Sequence, residues 1–359
     1  MTSNKLHFPN LNGLRFVAAF MVIVSHFHQI RFSLGLSNTL ESPIISGLGN
    51  AGVVIFFVLS GFLITTLLLQ EKRETLNISL KNFYVRRILR IWPLYFLIIG
   101  LCFFVVPYFD LLKMPGIEIN KDHFWDSLLV FALILPAFAM QLFGHIPFAT
   151  MTWSIGVEEI FYLITPLILK FTKYILTTFI IFAAVFLFLG NGFIHNDSHH
   201  KMLGVLILFL ADLRLTCLAL GSIAAILYLK YPSQVHKWVL NLPIQLAFYL
   251  LAILSILKIV YIETFNNELF SLFLVVIILN LALNKKSLIR LSHPVLEYLG
   301  KISYGIYMYH LFPIVFFYQT LPEINVYALL LLDVTITIGL ASVSFHCFES
   351  FFLKLKRKF

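Results

Sequence analysis

Charge is scarce in this chain. Of its 359 residues only 12% are Asp, Glu, Lys or Arg, whereas a water-soluble domain carries roughly 25–35% on its surface. With 60% hydrophobic residues and a mean hydropathy of +0.92, a soluble globular domain is excluded and a polytopic membrane protein is expected. Cysteine is equally sparse: Cys102, Cys217 and Cys347 lie far apart, each in an apolar segment. That excludes a disulfide framework or a cysteine metal centre, and leaves them as small packing residues. No Pro/Ser/Gly-rich linker, internal repeat or low-complexity tract divides the chain, so residues 1–359 are expected to form one transmembrane domain. Residues 1–10 lack a small-residue cleavage site, which argues for a retained first span over a removable signal peptide. Acidic residues, 17 against 26 basic, leave a net charge of +9. In a soluble protein that could mean nucleic acid. Here the basic residues sit in short loops, where they set orientation, and no nucleic-acid partner is expected.

What is abundant is apolar sequence. Segments long enough to cross a bilayer run at about 14–30, 51–70, 91–109, 124–142, 153–169, 174–193, 214–229, 242–262, 268–284, 302–318 and 326–352. If 124–142 does not cross, most of the 26 basic residues fall on the side of the N-terminus. If it does cross, every later loop flips and the asymmetry is lost. The positive-inside rule therefore predicts an all-α bundle of about ten transmembrane helices with both termini cytoplasmic. It leaves 124–142, which has Pro136 near its middle, as a re-entrant or interfacial segment. Residues 31–50, 110–152 and 194–213 are the longer outward stretches.

Against this apolar background the ionisable residues stand out, because each costs several kcal/mol inside hydrocarbon and is by default a functional candidate. LNGLRFVAAFMVIVSHFH (11–28) places Arg15 and His26 on nearly the same helix face, about 16 Å apart along the axis. GVVIFFVLSGFLIT (52–65) supplies Gly52, Ser60 and Gly61, read as close-packing residues. KNFYVRRILRIWPLY (81–95) carries Arg86, Arg87 and Arg90 on one side of a helix. They are either a topogenic cluster or a phosphate clamp, since guanidinium forks bind phosphate oxygens bidentately. In TWSIGVEEIFYLITP (152–166), Glu158 and Glu159 are 100° apart, so one is expected to face inward. Glu158 is preferred because it shares a face with Ser154 and Tyr162. Arg214 either binds an anionic group or pairs with Asp212. The run His195, Asn196, Asp197, Ser198, His199, His200 has no matching second cluster, and no metal is expected. LGKISYGIYMYHLFPI (299–314) sets Ser303, Tyr307 and His310 on one face. His26, Glu158 and His310 thus reach comparable depth from three helices.

Taken together, Arg15 with His26, FFVLSGFLI, Arg87 with Arg90, WSIGVEEIFY and SYGIYMYH resemble the acyltransferase family 3 of membrane acyltransferases, across almost the whole chain. The resemblance implies a ten-helix domain in a bacterial cytoplasmic (inner) membrane. That domain would pass an acyl group from cytoplasmic acyl-CoA to a hydroxyl of an extracytoplasmic glycan, such as O-antigen. It matches Arg15 and His26 to the family's first-helix pair, Arg87 and Arg90 to its RxxR pair, and Trp153 and Glu158 to its tryptophan–glutamate motif. One departure is Val54, where many members carry an acid; no attached SGNH-type domain, which some members carry, is expected. The expected roles are His26 as base or transient acyl carrier, Glu158 and Arg15 as its catalytic partners, and Arg86, Arg87 and Arg90 as the donor clamp. Trp153, Ser154, Tyr307, His310 and Arg214 are expected to bind the acceptor or support the site. Acyl-CoA, by preference acetyl-CoA, would be a substrate, with no permanently bound cofactor. The rival reading is a proton-coupled transporter or exporter that uses the same His and Glu as a relay.

Overall fold

The computed structural model describes residues 8–36, 43–114, 117–192 and 201–359, and among them the regular secondary structure is helical apart from one isolated β-bridge. In order it contains α1 (Pro9–Ser33), α2 (Pro43–Thr75), α3 (Leu80–Phe104), α4 (Phe124–Ala132), α5 (Pro136–Phe143), α6 (Trp153–Phe171), α7 (Ile175–Gly192), α8 (Lys201–Asp212) and α9 (Leu215–Lys230). There follow α10 (Pro232–Trp238), α11 (Leu242–Ile256), α12 (Asn266–Leu283), α13 (Pro294–Lys301), α14 (Ser303–Tyr309), α15 (Leu311–Thr320) and α16 (Val326–Ser344). A π-helical turn (Phe345–Glu349) and α17 (Ser350–Leu355) close the chain's last long element.

Six helical stretches are long and apolar enough to cross a membrane: Pro9–Ser33, Ile44–Thr75, Leu80–Tyr108, Gly204–Lys230, Glu263–Leu283 and Val326–Leu355. A seventh is present if α10 and α11, bent by 75°, count as one span. Two shorter apolar helices cover Ile175–Gly190 and Leu311–Thr320. The segment 124–142 is two helices of 9 and 8 residues, broken where Ile134 takes a left-handed φ of 60° before Pro136. Neither piece approaches the roughly 20 residues a span needs. Two of the expected outward stretches are shorter than the sequence suggested. Helix α2 already begins at Pro43, and α8 occupies Lys201–Asp212, running into α9 through a left-handed Arg214 (φ 44°).

Helix α2 is the hub, with α1, α6, α9 and α12 packed round it. Its contact with α9 is a reciprocal small-residue crossing. A Cβ on Gly61 would sit 1.9 Å from the Leu218 carbonyl oxygen, and one on Gly221 would sit 2.1 Å from that of Val58. Only glycine lets the two backbones come so close. At one end of the bundle, lysines bond carbonyls across elements: Lys72 Nζ donates to Leu169 O near the end of α6 at 2.6 Å, and Lys170 Nζ to Ile78 O in the α2–α3 link at 2.9 Å. The start of α1 is tied down there too, with Asn10 Nδ2 donating to Leu281 O at 2.9 Å and the Leu291 amide to Asn10 Oδ1 at 2.8 Å. This basic end gathers both the first helix and the last turns of the chain. Cys102 and Cys217 are buried, Cys347 is exposed, and all three are free thiols.

Candidate active site

Two polar centres are built along α1, one at the basic end and one deeper in the bundle. At the deeper centre, His26 Nδ1 lies 2.7 Å from His310 Nε2, with the rings nearly parallel at 15°. His310 occupies the junction of α14 and α15, and its Nδ1 is 2.6 Å from the carbonyl oxygen of Tyr307. A carbonyl only accepts, so His310 carries its proton on Nδ1 and offers the Nε2 lone pair to His26. In the neutral pair His26 therefore donates through Nδ1–H, and its Nε2 retains a lone pair. That is the arrangement of a general base oriented by a neighbour.

Tyr307 links this pair to α6. Its hydroxyl donates to Met151 O at 2.8 Å and so accepts from Ser154 Oγ, 2.9 Å away. The two phenylalanines of the FFVLSGFLI run frame the same region: Phe56 meets Tyr307 edge-on and Phe57 meets Trp153 at 89°. Sequence reading quoted Phe56 and Phe57 within FFVLSGFLI but gave them no role, although their position just ahead of Ser60 was a usable signal. Trp153 also lies under the Arg214 guanidinium, 5.0 Å from centroid to Cζ. Arg214 donates to Asn50 Oδ1, and Asn50 Nδ2 donates to Asn267 Oδ1 at 2.6 Å. Asp212 is engaged by Gln141 at 2.9 Å, so the Asp212 pairing weighed for Arg214 is not the one the structure contains.

Glu158 belongs to the other centre. Ser60 Oγ donates to Oε1 at 2.8 Å and the Tyr162 hydroxyl to Oε2 at 2.7 Å. The partner of His26 is thus His310 and not Glu158, a correction with a simple cause. Glu158 lies one turn, about 6 Å, beyond Ser154 toward the basic end, and Ser154 already sits level with Tyr307. Ser60, expected as a packing residue, is a ligand of this carboxylate. Glu159 also turns inward, accepting from Trp92 Nε1 at 3.0 Å. The two adjacent acids face different neighbours, α2 and α3, so the expectation that only one points inward does not hold.

Below Glu158 lies a chamber of about 170 Å³ lined by Arg15, Arg87, Arg90, Ser60 and Tyr162, among others. It shares Arg15, Arg87 and Arg90 with a much larger cavity of about 1500 Å³ at the basic end. Arg87 is held between two rings, its Cζ 5.6 Å from Phe83 and 5.7 Å from Tyr162, with Nε buried and lacking a partner. Among the described residues, none of Arg15, Arg87 and Arg90 hydrogen-bonds or pairs with a carboxylate, whereas Arg86 pairs with Glu71 at 3.0 Å. Three converging guanidiniums with no carboxylate in direct contact are suited to an anion. Arg86 lines only the outer cavity. The histidine-rich run His195 to His200 lies outside the described residues. Among those described, no three His, Cys, Asp or Glu side chains come together as a metal site.

Comparison with known proteins agrees with the motifs. The chain is 28% identical over 370 residues to a Staphylococcus aureus (strain COL) protein named "Putative O-acetyltransferase", covering 97% of this chain and 58% of the relative. It is 28% identical over 374 residues to O-acetyltransferase OatA of S. aureus (strain NCTC 8325 / PS 47), covering 96% of this chain and 57% of the relative. It therefore spans little more than half the length of these curated relatives. No solved structure matches. Residues 8–345, from the foot of α1 through the clamp and the histidine pair to the end of α16, match the family described as Acyltransferase domain, so the chain belongs to the membrane acyltransferase family 3 that its motifs resemble.

Proposed function

We propose that this protein is a membrane O-acyltransferase, most readily an O-acetyltransferase, that moves an acyl group from acyl-CoA to a hydroxyl of a cell-surface saccharide. The observation that carries this reading is the pairing, along one helix, of guanidiniums that touch no carboxylate at the foot of α1 with a histidine that keeps an open Nε2 lone pair about 16 Å further on. The first suits the phosphates of a CoA donor. The second suits deprotonation of a hydroxyl. The names of the S. aureus relatives support oxygen as the acceptor atom.

In the proposed step, Arg15, Arg87 and Arg90 hold the CoA diphosphate and the thioester reaches toward His26. His26 Nε2 takes the acceptor's hydroxyl proton as the oxygen attacks the thioester carbonyl. His310 keeps the ring oriented and disperses the charge of the imidazolium. The C–S bond breaks, the thiolate takes the proton back from His26, and ester and CoA thiol leave. Glu158 is assigned to the donor chamber, where it balances the arginines and holds Ser60 and Tyr162 in place. Trp153, Ser154, Tyr307 and Arg214 are assigned to the acceptor side, where an aromatic face and a guanidinium suit a sugar.

The same reading fixes orientation. The basic end is cytoplasmic, both termini lie on that side, and α6, α7 and the α14–α15 pair cross along with the seven longer spans, giving ten in a bacterial inner membrane. The test is release of CoA thiol from acetyl-CoA by purified protein in detergent, dependent on added glycan. Absence of any acetyl-CoA consumption in every acceptor preparation would return the His26–His310 pair and Glu158 to the rival role of a proton relay.

A further inference from the structure

The outer cavity has a wall that the arginine clamp does not use. After the π-turn, α17 packs against α3, and the final turn Lys356–Lys358 lies beside the RRILR segment. Arg86 fastens it there, donating through one nitrogen to the Phe359 carbonyl oxygen at 2.8 Å and pairing through the other with Glu71 at 3.0 Å. Arg86 is thereby engaged in holding this turn. What the turn brings to the cavity is Lys356, with Lys354 beside it. Among the described residues, Lys356 neither hydrogen-bonds nor pairs with a carboxylate. Burial, and then the fields of Arg90, Arg87, Arg86 and Arg15, push its ammonium down to about 7. An ammonium placed against such a field is stabilised by a bound anion.

CoA carries two anionic centres, a diphosphate that joins pantetheine to the nucleoside and a monoester on the ribose 3′ oxygen. The diphosphate lies nearer the reacting end and suits the deep, planar guanidiniums. The monoester lies outward and suits a mobile point charge with three donors. Resting on the reading of acyl-CoA as donor, we propose that Lys356 and Lys354 form a second phosphate site, distinct from the Arg15–Arg87–Arg90 clamp, that holds the 3′-phosphate and selects CoA over donors lacking it.

The experiment is isothermal titration of the purified full chain, in uncharged detergent, with CoA and with 3′-dephospho-CoA. Wild type is expected to bind CoA about ten-fold or more tightly, the value of one charge-assisted contact. Lys356→Gln should remove most of that preference by weakening CoA alone, Lys356→Arg should retain it, and Arg87→Ala should weaken both ligands. If wild type binds both equally, the second site falls while the donor reading stands. If it binds neither, both fall. If Lys356→Gln weakens both alike, the lysine contributes only general field and the site is refuted. Repeating the titration in phosphatidylglycerol nanodiscs separates nucleotide from lipid. A CoA preference that persists there supports the site, and one that vanishes assigns the lysines to lipid headgroups and overturns it.

Discussion

The chemistry proposed for His26 depends on which of its nitrogens is left open, and that is decided by a carbonyl on another helix. Tyr307 O fixes the His310 proton, and His310 fixes the proton of His26. His310→Gln, which can still offer an acceptor oxygen, should keep more transfer activity than His310→Ala. Both should fold, because the change sits at an existing helix junction. Equal activities of the two variants, measured as glycan-dependent CoA release, would remove His310 from the orienting role. His26→Gln should leave expression and detergent-extracted size unchanged while transfer falls by at least the ~10² expected from loss of a general base. Replacing Arg87 or Arg90 by Lys should restore only part of the donor affinity lost in the Ala variants, since a point charge lacks the bidentate fork; full restoration at sub-saturating acetyl-CoA would show a purely electrostatic cluster. Much of this centre was legible in the sequence, because ionisable residues in an apolar span announce themselves by cost. Which of them touch was not. Helical spacing correctly put Glu158 on the face of Ser154 and Tyr162, but says nothing of the partner helix that supplies Ser60. Comparable depth brought His26 and His310 into the same argument without revealing a contact across 284 residues of chain.

The elements themselves explain how such polar groups are tolerated. The α14–α15 break frees the Tyr307 carbonyl for a side chain, and buried protein, not lipid, surrounds it: His310 is 0% exposed. The α2–α9 crossing holds the hub in register through Gly61 and Gly221. Gly61→Ala or Gly221→Ala should force the helices apart at a cost of about 1–3 kcal/mol, lowering the thermal midpoint in detergent; an unchanged midpoint would mean that the crossing is looser than its 1.9 Å clearance implies. The sequence showed Gly61 as a close-packing residue but could not name Gly221 of α9 as its partner, since small-residue spacing marks a face only. The split of 124–142 was foreshadowed by Pro136, whereas helix α8 was not, because the residues before it are polar enough to read as an outer loop. Helix count is where apolar length is least decisive, since α6 carries two glutamates and α14–α15 a histidine at its break.

At the scale of the molecule, the two ends of the chain meet round one basic cavity, Asn12 and Arg15 from the first helix and Lys354 and Lys356 from the last turns. Reporter fusions after Lys358 should accordingly report the cytoplasm, and fusions within 117–123 the opposite side; a reporter at Lys358 that reads the outside would invert the proposed topology. The same construction makes α1 a ruler. Under the proposed function, donor anchor and reacting nitrogen are two marks on one helix, so the length of the pantetheine arm would be measured against a fixed interval, and any acyl chain beyond the thioester would have to fit whatever room remains past His26. Inserting one alanine after Ala19 would lengthen that interval by about 1.5 Å and, more severely, rotate one mark by 100° against the other. CoA should then still bind at Arg15, Arg87 and Arg90 while transfer is lost. Two intact half-sites would no longer address the same molecule.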